Sequence, residues 1–290
     1  MKRLNTKNKL FLELETKKPD WWKNIVSEKG VYIDIRKDNY IDIYFNGGNI
    51  IRELKFDGKK YSGSINYKYL LSERSEYIKY DFANTKVLLA QKIIDLLSFA
   101  DFETKSLKRI KDNISKHFPA SSEKGIQAKF VNNTDYFLDT EFAYNYKSTK
   151  LRIDLVWIDV SNKKIILIEL KTMGDSRLYT NEIYGQLKKY NDFAIKFEKD
   201  IVQYYQKVFE IKKKLNILPK GLSAISSLKD FVLEKKPLLL FGDCQQKWIN
   251  NNAKDINARI DKVAVGAYYF GGTKYNCGVI SKTNRNRYIF

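Results

Sequence analysis

Two apolar segments, LRIDLVWIDV and KKIILIELKT, carry Asp154, Glu169 and Lys171 in their interiors. An unpartnered charge costs several kcal/mol to bury, so three of them in segments this greasy call for a reason. Read as two strands closing at the polar turn SNKK, between Asn162 and Lys163, the segments set Asp154 opposite Lys171 and Val156 opposite Glu169. A slip of two residues sets Asp154 opposite Glu169 instead. In both registers the three side chains emerge on one face, with the carboxylates about 5–8 Å apart. Carboxylates that close repel unless a cation lies between them. A hard divalent ion, Mg²⁺ above all with Mn²⁺ as a substitute, needs only one or two of them, completed by water and substrate phosphate. Lys171 can then steady or help deprotonate an attacking water, which is metal-assisted phosphodiester hydrolysis. A cross-strand Asp154–Lys171 ion pair with Glu169 solvated accounts for the triplet alone equally well.

Asp154, then fourteen residues, then Glu169-Leu170-Lys171, resembles the D…(D/E)-x-K signature of the PD-(D/E)xK nuclease superfamily, with Ile153 where that pattern often has proline. Fifteen residues past Lys171 stands GQLKKY, and its Gln186 and Tyr190 are similar to the Q-x-x-x-Y element of RecB-like nucleases. The i, i+4 spacing puts both on one helix face. The resemblance spans residues 121–243 and implies a restriction-endonuclease-like αβββαβ core, an α+β or α/β fold. It implies that Asp154, Glu169 and the Leu170 carbonyl hold the metal, that Lys171 handles water and that Gln186 positions substrate. An upstream helical glutamate goes with such sites; Glu123 in SSEKGIQAKF is the nearest match and Glu141 in TEFAYNY the second. Glu123 is also what the positive end of a helix dipole favours. Tyr190 belongs to an apolar seam as well, so packing accounts for it too. Asp175 and Arg177 in GDSRLYTNEI either touch substrate phosphate or order their loop.

Composition narrows the chemistry from another side. Lysine and arginine total 53 against 34 acids, a net +19, which favours a polyanionic partner such as DNA; nothing in the sequence reads a 2′-hydroxyl, so RNA stays open. Two cysteines, Cys244 and Cys277, and one histidine, His117, are too few for a disulfide framework, a four-thiolate metal site or a multi-imidazole zinc hydrolase. No apolar run nears the roughly 20 residues of a membrane span, and MKRLNTKNKL has no signal-peptide apolar segment. A soluble cytoplasmic protein is expected.

The elements that must hold these residues follow from periodicity. Residues 30–71 alternate apolar and polar around the turn signals KDN, NGGN and DGKK, reading as a β-meander with one wet face. Trp21 and Trp22 precede it as a strap over the sheet rather than a base-stacking pair. Residues 85–117 have helical spacing and suggest two helices. Ser121 or Ser122 caps a short helix bearing Ile126 and Phe130. EFAYNYK reads as a strand, and a long helix starts near Asn181 with Leu187, Tyr190, Ala194, Phe197, Ile201, Tyr204, Val208, Ile211 and Leu215 on one face. PLLLFGD, AVGAYYFGG and NCGVISK complete the strands. The domains expected are a β-rich region at residues 1–82, a helical connector at 83–120 and the nuclease-like domain at 121–290. The function expected is a Mg²⁺-dependent deoxyribonuclease of restriction or phage defence, with repair second, acting as a homodimer or with a partner protein. The competing class is a nucleic-acid-binding or assembly module without turnover.

Overall fold

A computed structural model describes residues 4–66, 69, 77–81, 86–89, 92–95, 105–146, 149–242 and 244–270. The chain is a mixture of helices and sheets that divides into two compact units. The first holds Met1–Ala128 together with Glu210–Ile217, and the second holds Lys129–Phe209 and Leu218–Phe290.

The first unit opens with α1 (Lys9–Lys17) and α2 (Asp20–Ser27), followed by β1 (Val31–Arg36), β2 (Tyr40–Phe45), β3 (Gly48–Phe56), β4 (Tyr61–Asn66) and β5 (Tyr77–Asp81). The five strands pair in chain order as an antiparallel meander. Its turns are written locally. Asn46 and Gly47 both take positive φ (46° and 87°) between Phe45 and its partner Gly48, the two-residue turn whose twist suits a hairpin. Ile33, Ile35, Ile41 and Ile43 form one buried face, each contributing about 1.5–3 kcal/mol relative to exposure. Trp21 packs edge-on to Tyr61 with ring centres 5.1 Å apart, so the tryptophans cover the sheet.

The other face is not wet along β1 and β2. Asp34 and Asp42 stand opposite each other there and are buried, a like-charge juxtaposition that needs cations. Arg36 supplies one, with Nε to Asp42 Oδ2 at 2.9 Å and a terminal nitrogen to Asp34 Oδ2 at 3.2 Å. Lys212 supplies the other, at 3.2 Å from Asp34 Oδ1. Tyr44 joins them, accepting from Arg36 and donating to Asp42, and burial pushes its hydroxyl pKa up. This network shows why the alternating pattern misread the face as solvated: its cover arrives from 178 residues away.

Later in the first unit, β6 (Lys86–Leu89) and β7 (Lys92–Asp95) pair as a two-stranded sheet and α3 (Lys105–His117) follows. One of the two helices expected over residues 85–117 is therefore a hairpin, consistent with the β-branched Val87, Ile93 and Ile94. His117 ends α3 with its ring 6.0 Å from that of Tyr69. Helix α4 (Glu123–Asn133) is capped by Ser122, whose Oγ accepts the Gly125 amide at 3.1 Å.

The second unit is built on β8 (Phe137–Tyr146), β9 (Thr149–Asp159), β10 (Lys164–Lys171), the long helix α5 (Glu182–Lys214) as far as Phe209, β11 (Val232–Leu233), β12 (Leu238–Gly242), α6 (Gln246–Ile260) and β13 (Gly266–Phe270). Strand order is β13-β12-β10-β9-β8, with β11 beside β10. Strands β8, β9 and β10 are antiparallel; β10, β12 and β13 are parallel, and α5 and α6 are the crossovers that parallel pairing requires. NCGVISK lies outside the described residues. Among them no helix is long and apolar enough to cross a membrane.

Candidate metal and phosphodiester site

The β9–β10 hairpin adopts the slipped register. Asp159 pairs with Lys164 and Leu155 with Ile168, which continues to Asp154 opposite Glu169, the second of the two registers the sequence allows. The turn chemistry decides it. Asp159 accepts both the Asn162 amide (3.1 Å) and its side-chain nitrogen (2.6 Å), and Lys163 takes a left-handed φ of 52°. Val160 to Lys163 therefore form a four-residue loop rather than a turn centred after Asn162. A shift of two preserves the face, so Asp154, Glu169 and Lys171 still converge.

All three are buried, at 7%, 2% and 1% exposure. The paired ladder ends at Leu155–Ile168, and just beyond it the Leu170 amide donates to Asp154 Oδ2 at 2.9 Å. Lys171 Nζ pairs with Glu169 Oε1 and lies 3.5 Å from Asp175 Oδ2. Helix α5 closes the cluster from above. Gln186 Nε2 donates to Glu169 Oε1 at 2.5 Å and the Tyr190 hydroxyl to Glu169 Oε2 at 2.6 Å, also touching the Arg152 carbonyl. Gln186 and Tyr190 thus act on one carboxylate, as their spacing allows. Tyr190 is 1% exposed, so it serves the seam and the cluster at once. Leu178, Ile183 and Leu187 pack in one buried apolar cluster with Leu239, Phe241 and Ala267, and Leu239 and Phe241 pair in register with Glu169 and Lys171.

Electrostatics follow from crowding. Burial and then the charge of Glu169 push the Asp154 carboxyl well above the usual carboxylate range, with Glu141 adding to the rise; the Leu170 amide and Lys171 oppose it. Burial, Glu169 and Asp154 likewise push Tyr190 up. Burial alone would raise Asp175, but hydrogen bonds from Arg177 and the charge of Lys171 outweigh it and hold the carboxyl low. Asp175 accepts the Arg177 amide at 3.0 Å and grips its guanidinium through both oxygens, ordering the loop around Arg177.

Glu123 opens α4 in residues assigned to the first unit. The upstream glutamate whose charge reaches Asp154, after that of Glu169, is Glu141. It falls between the pairs Thr140–Leu155 and Phe142–Ile153, hence across from Asp154, and has a φ of 52°. A left-handed, non-glycine residue inside a strand is strained. Its carboxylate pairs with Arg152 at 2.9 Å. Sequence reasoning ranked Glu141 second and did not foresee the Lys171–Asp175 contact, although the i, i+4 spacing was visible.

Among the described residues no group of three or more His, Cys, Asp or Glu side chains is disposed to hold a metal ion. Two buried carboxylates, Asp154 and Glu169, lie close enough for the charge of one to raise the pKa of the other. Among the described residues Gln186 Oε1 has no hydrogen-bond partner although it is buried, an acceptor left open on the side chain whose Nε2 donates to Glu169. No protein-family model, curated protein or solved structure matches the chain.

Proposed function

We propose that the chain is a Mg²⁺-dependent nuclease of the PD-(D/E)xK kind that hydrolyses phosphodiester bonds in DNA. The observation that carries this reading is the buried Asp154–Glu169 pair, one step past the end of the β9–β10 ladder, with Lys171 on the same face and Asp154 held above its ordinary carboxylate range. Two anions forced together where neither is solvated are a site that gains from a divalent cation. The order from α4 through β12, a helix, three strands, a helix, then the two-residue β11 and β12, supports the αβββαβ core, and the +19 charge supports a phosphate-rich substrate.

Asp154, Glu169 and the Leu170 carbonyl would hold the ion, which when bound withdraws charge from the phosphate and acidifies water. Lys171, steadied between Glu169 and Asp175, orients the attacking water and offsets charge gathering on the phosphate. Tyr190 and Gln186 fix Glu169, leaving Gln186 Oε1 to accept from a water or a substrate group. Arg177, 41% exposed at its side chain, faces outward to bind phosphate. Restriction or phage defence is the setting we infer, with repair second and a homodimer or partner protein supplying a second site where both strands are cut.

The test is incubation of the purified protein with plasmid and with linear single-stranded DNA in Mg²⁺, Mn²⁺ or EDTA, beside folded Asp154→Asn and Lys171→Ala variants. Metal-dependent breakdown by the parent and none by the variants is the expected result. A folded parent that binds DNA but leaves DNA and RNA intact would replace this reading with a nucleic-acid-binding or assembly module.

A further inference from the structure

The segment joining β10 to α5 exposes an aromatic ring that the fold does not bury. Tyr179 ends the 3₁₀ turn Ser176–Tyr179 and is 46% exposed, although Leu178 beside it is fully buried. Its hydroxyl accepts from Trp248 Nε1 at 2.9 Å and donates to the Met173 carbonyl at 3.4 Å. The polar edge is pinned and the ring is open to solvent. A ring held this way loses little freedom when something stacks on it. Arg177 lies in the same turn, gripped by Asp175, which in turn reaches Lys171, so the aromatic and the candidate site share one chain of contacts.

Two glycines add an independent observation. A Cβ built on Gly174 or on Gly185 would meet nothing within 4 Å, and neither has a positive φ. Gly185 stands in the second turn of α5, where glycine weakens a helix relative to alanine. Neither backbone conformation nor packing within the chain calls for it, yet it adjoins Gln186, whose Oε1 is unfilled. A bare backbone at such a point admits the close approach of something outside the chain.

We propose that the loop from Thr172 to Thr180 and the start of α5 form the track for a single-stranded polynucleotide. An unpaired base stacks on Tyr179, a backbone phosphate meets Arg177, and the strand passes over Gly174 and Gly185 toward Gln186. The inference rests on the nuclease reading and specifies its substrate: bases in a duplex are already stacked on one another and offer no face to Tyr179.

Binding of labelled oligo-dT, oligo-rU and a duplex of equal length, followed by fluorescence anisotropy in EDTA so that nothing is cut, tests it. The parent is expected to favour a single strand. Tyr179→Ala should lose about ten-fold or more of single-strand affinity, Tyr179→Phe should stay within about two-fold because the ring remains, and duplex affinity should barely move. Gly185→Ala should raise the melting temperature while weakening single-strand binding, an opposition that a structural role for this glycine does not produce. Loss in either the dT or the rU arm supports the track and tells which sugar it takes. A parent that binds single strands as well after both alanine substitutions, or that binds only duplex, overturns the track and leaves the nuclease reading standing. A parent that binds no nucleic acid overturns both.

Discussion

Asp154→Asn should make the metal-free protein more stable, not less. Asn keeps an oxygen to accept the Leu170 amide, held at 2.9 Å by the native carboxylate, and removes one of two charges facing each other across β9 and β10. Like charges about 5 Å apart at an effective dielectric near 20 repel by about 3 kcal/mol. Lys171 on Glu169 offsets part of that, leaving a net gain of about 1–2 kcal/mol at neutral pH, or about 2–8 °C in melting temperature for a chain of this size. The pH dependence has a definite sign. Because the folded state raises the Asp154 pKa, folded protein binds that proton more tightly than unfolded chain does. The cost of the charge is absent below the ordinary carboxylate range and sets in as pH rises through the elevated value. The gap between variant and parent should therefore widen from pH 4 to pH 8 in EDTA. Added Mg²⁺ should reverse the order, stabilising the parent by about 2.7 kcal/mol at a hundred-fold excess over its dissociation constant while leaving Asp154→Asn unmoved. Thermal melts over that pH range, with and without Mg²⁺, measure all of this. A variant that melts below the parent at every pH would refute the reasoning, since the carboxylate would then be a structurally paired group.

Other outcomes follow from named contacts. Tyr190→Phe keeps the buried ring but removes the donor to Glu169, and should cost about 1.5–3 kcal/mol in urea unfolding; an unchanged midpoint would mean the hydroxyl is idle. Arg36→Met leaves Asp34 and Asp42 facing each other without the guanidinium that bridges them, and should cost about 3–5 kcal/mol, well above the cost of Lys212→Met, because Arg36 serves both carboxylates. Glu141→Gln removes one of the charges raising Asp154, so the Asp154 carboxyl resonance in carbon NMR should titrate at lower pH than in the parent; no displacement would separate Glu141 from the site.

The convergence of Asp154, Glu169 and Lys171 on one face was legible in the sequence because strand side chains repeat every two residues, and a slip of two leaves that parity intact. Which of the two registers applies was not, because it depends on Lys163 adopting a left-handed conformation that a lysine does not advertise. The i, i+4 spacing of Gln186 and Tyr190 was enough to predict a shared target, since helix geometry alone brings them together. Glu141 reaches Asp154 from a strained position in β8, which no local pattern announces. The hairpin at Lys86–Asp95 was read as helix because four-residue apolar clusters satisfy both periods. The seam of α5 did appear, but its break at Phe197, with φ −117°, has no proline or glycine to signal it. The solvated face expected of the meander failed for the plainest reason: Lys212 is remote in the chain and local alternation knows nothing of it.

The four-residue loop from Val160 to Lys163 acts as a ruler. Asp154 lies five residues from the loop's first pair, Asp159–Lys164, about 17 Å along an extended strand, yet the loop's length alone sets which residue of β10 it confronts. Losing one residue there would turn Asp154 to the opposite side of the sheet, and losing two would slide it from Glu169 toward the neighbouring positions of the same side. Insertions and deletions at this remote, polar bend should thus be as damaging to chemistry as substitutions at the charged residues themselves, while ordinary surface loops of equal exposure absorb them.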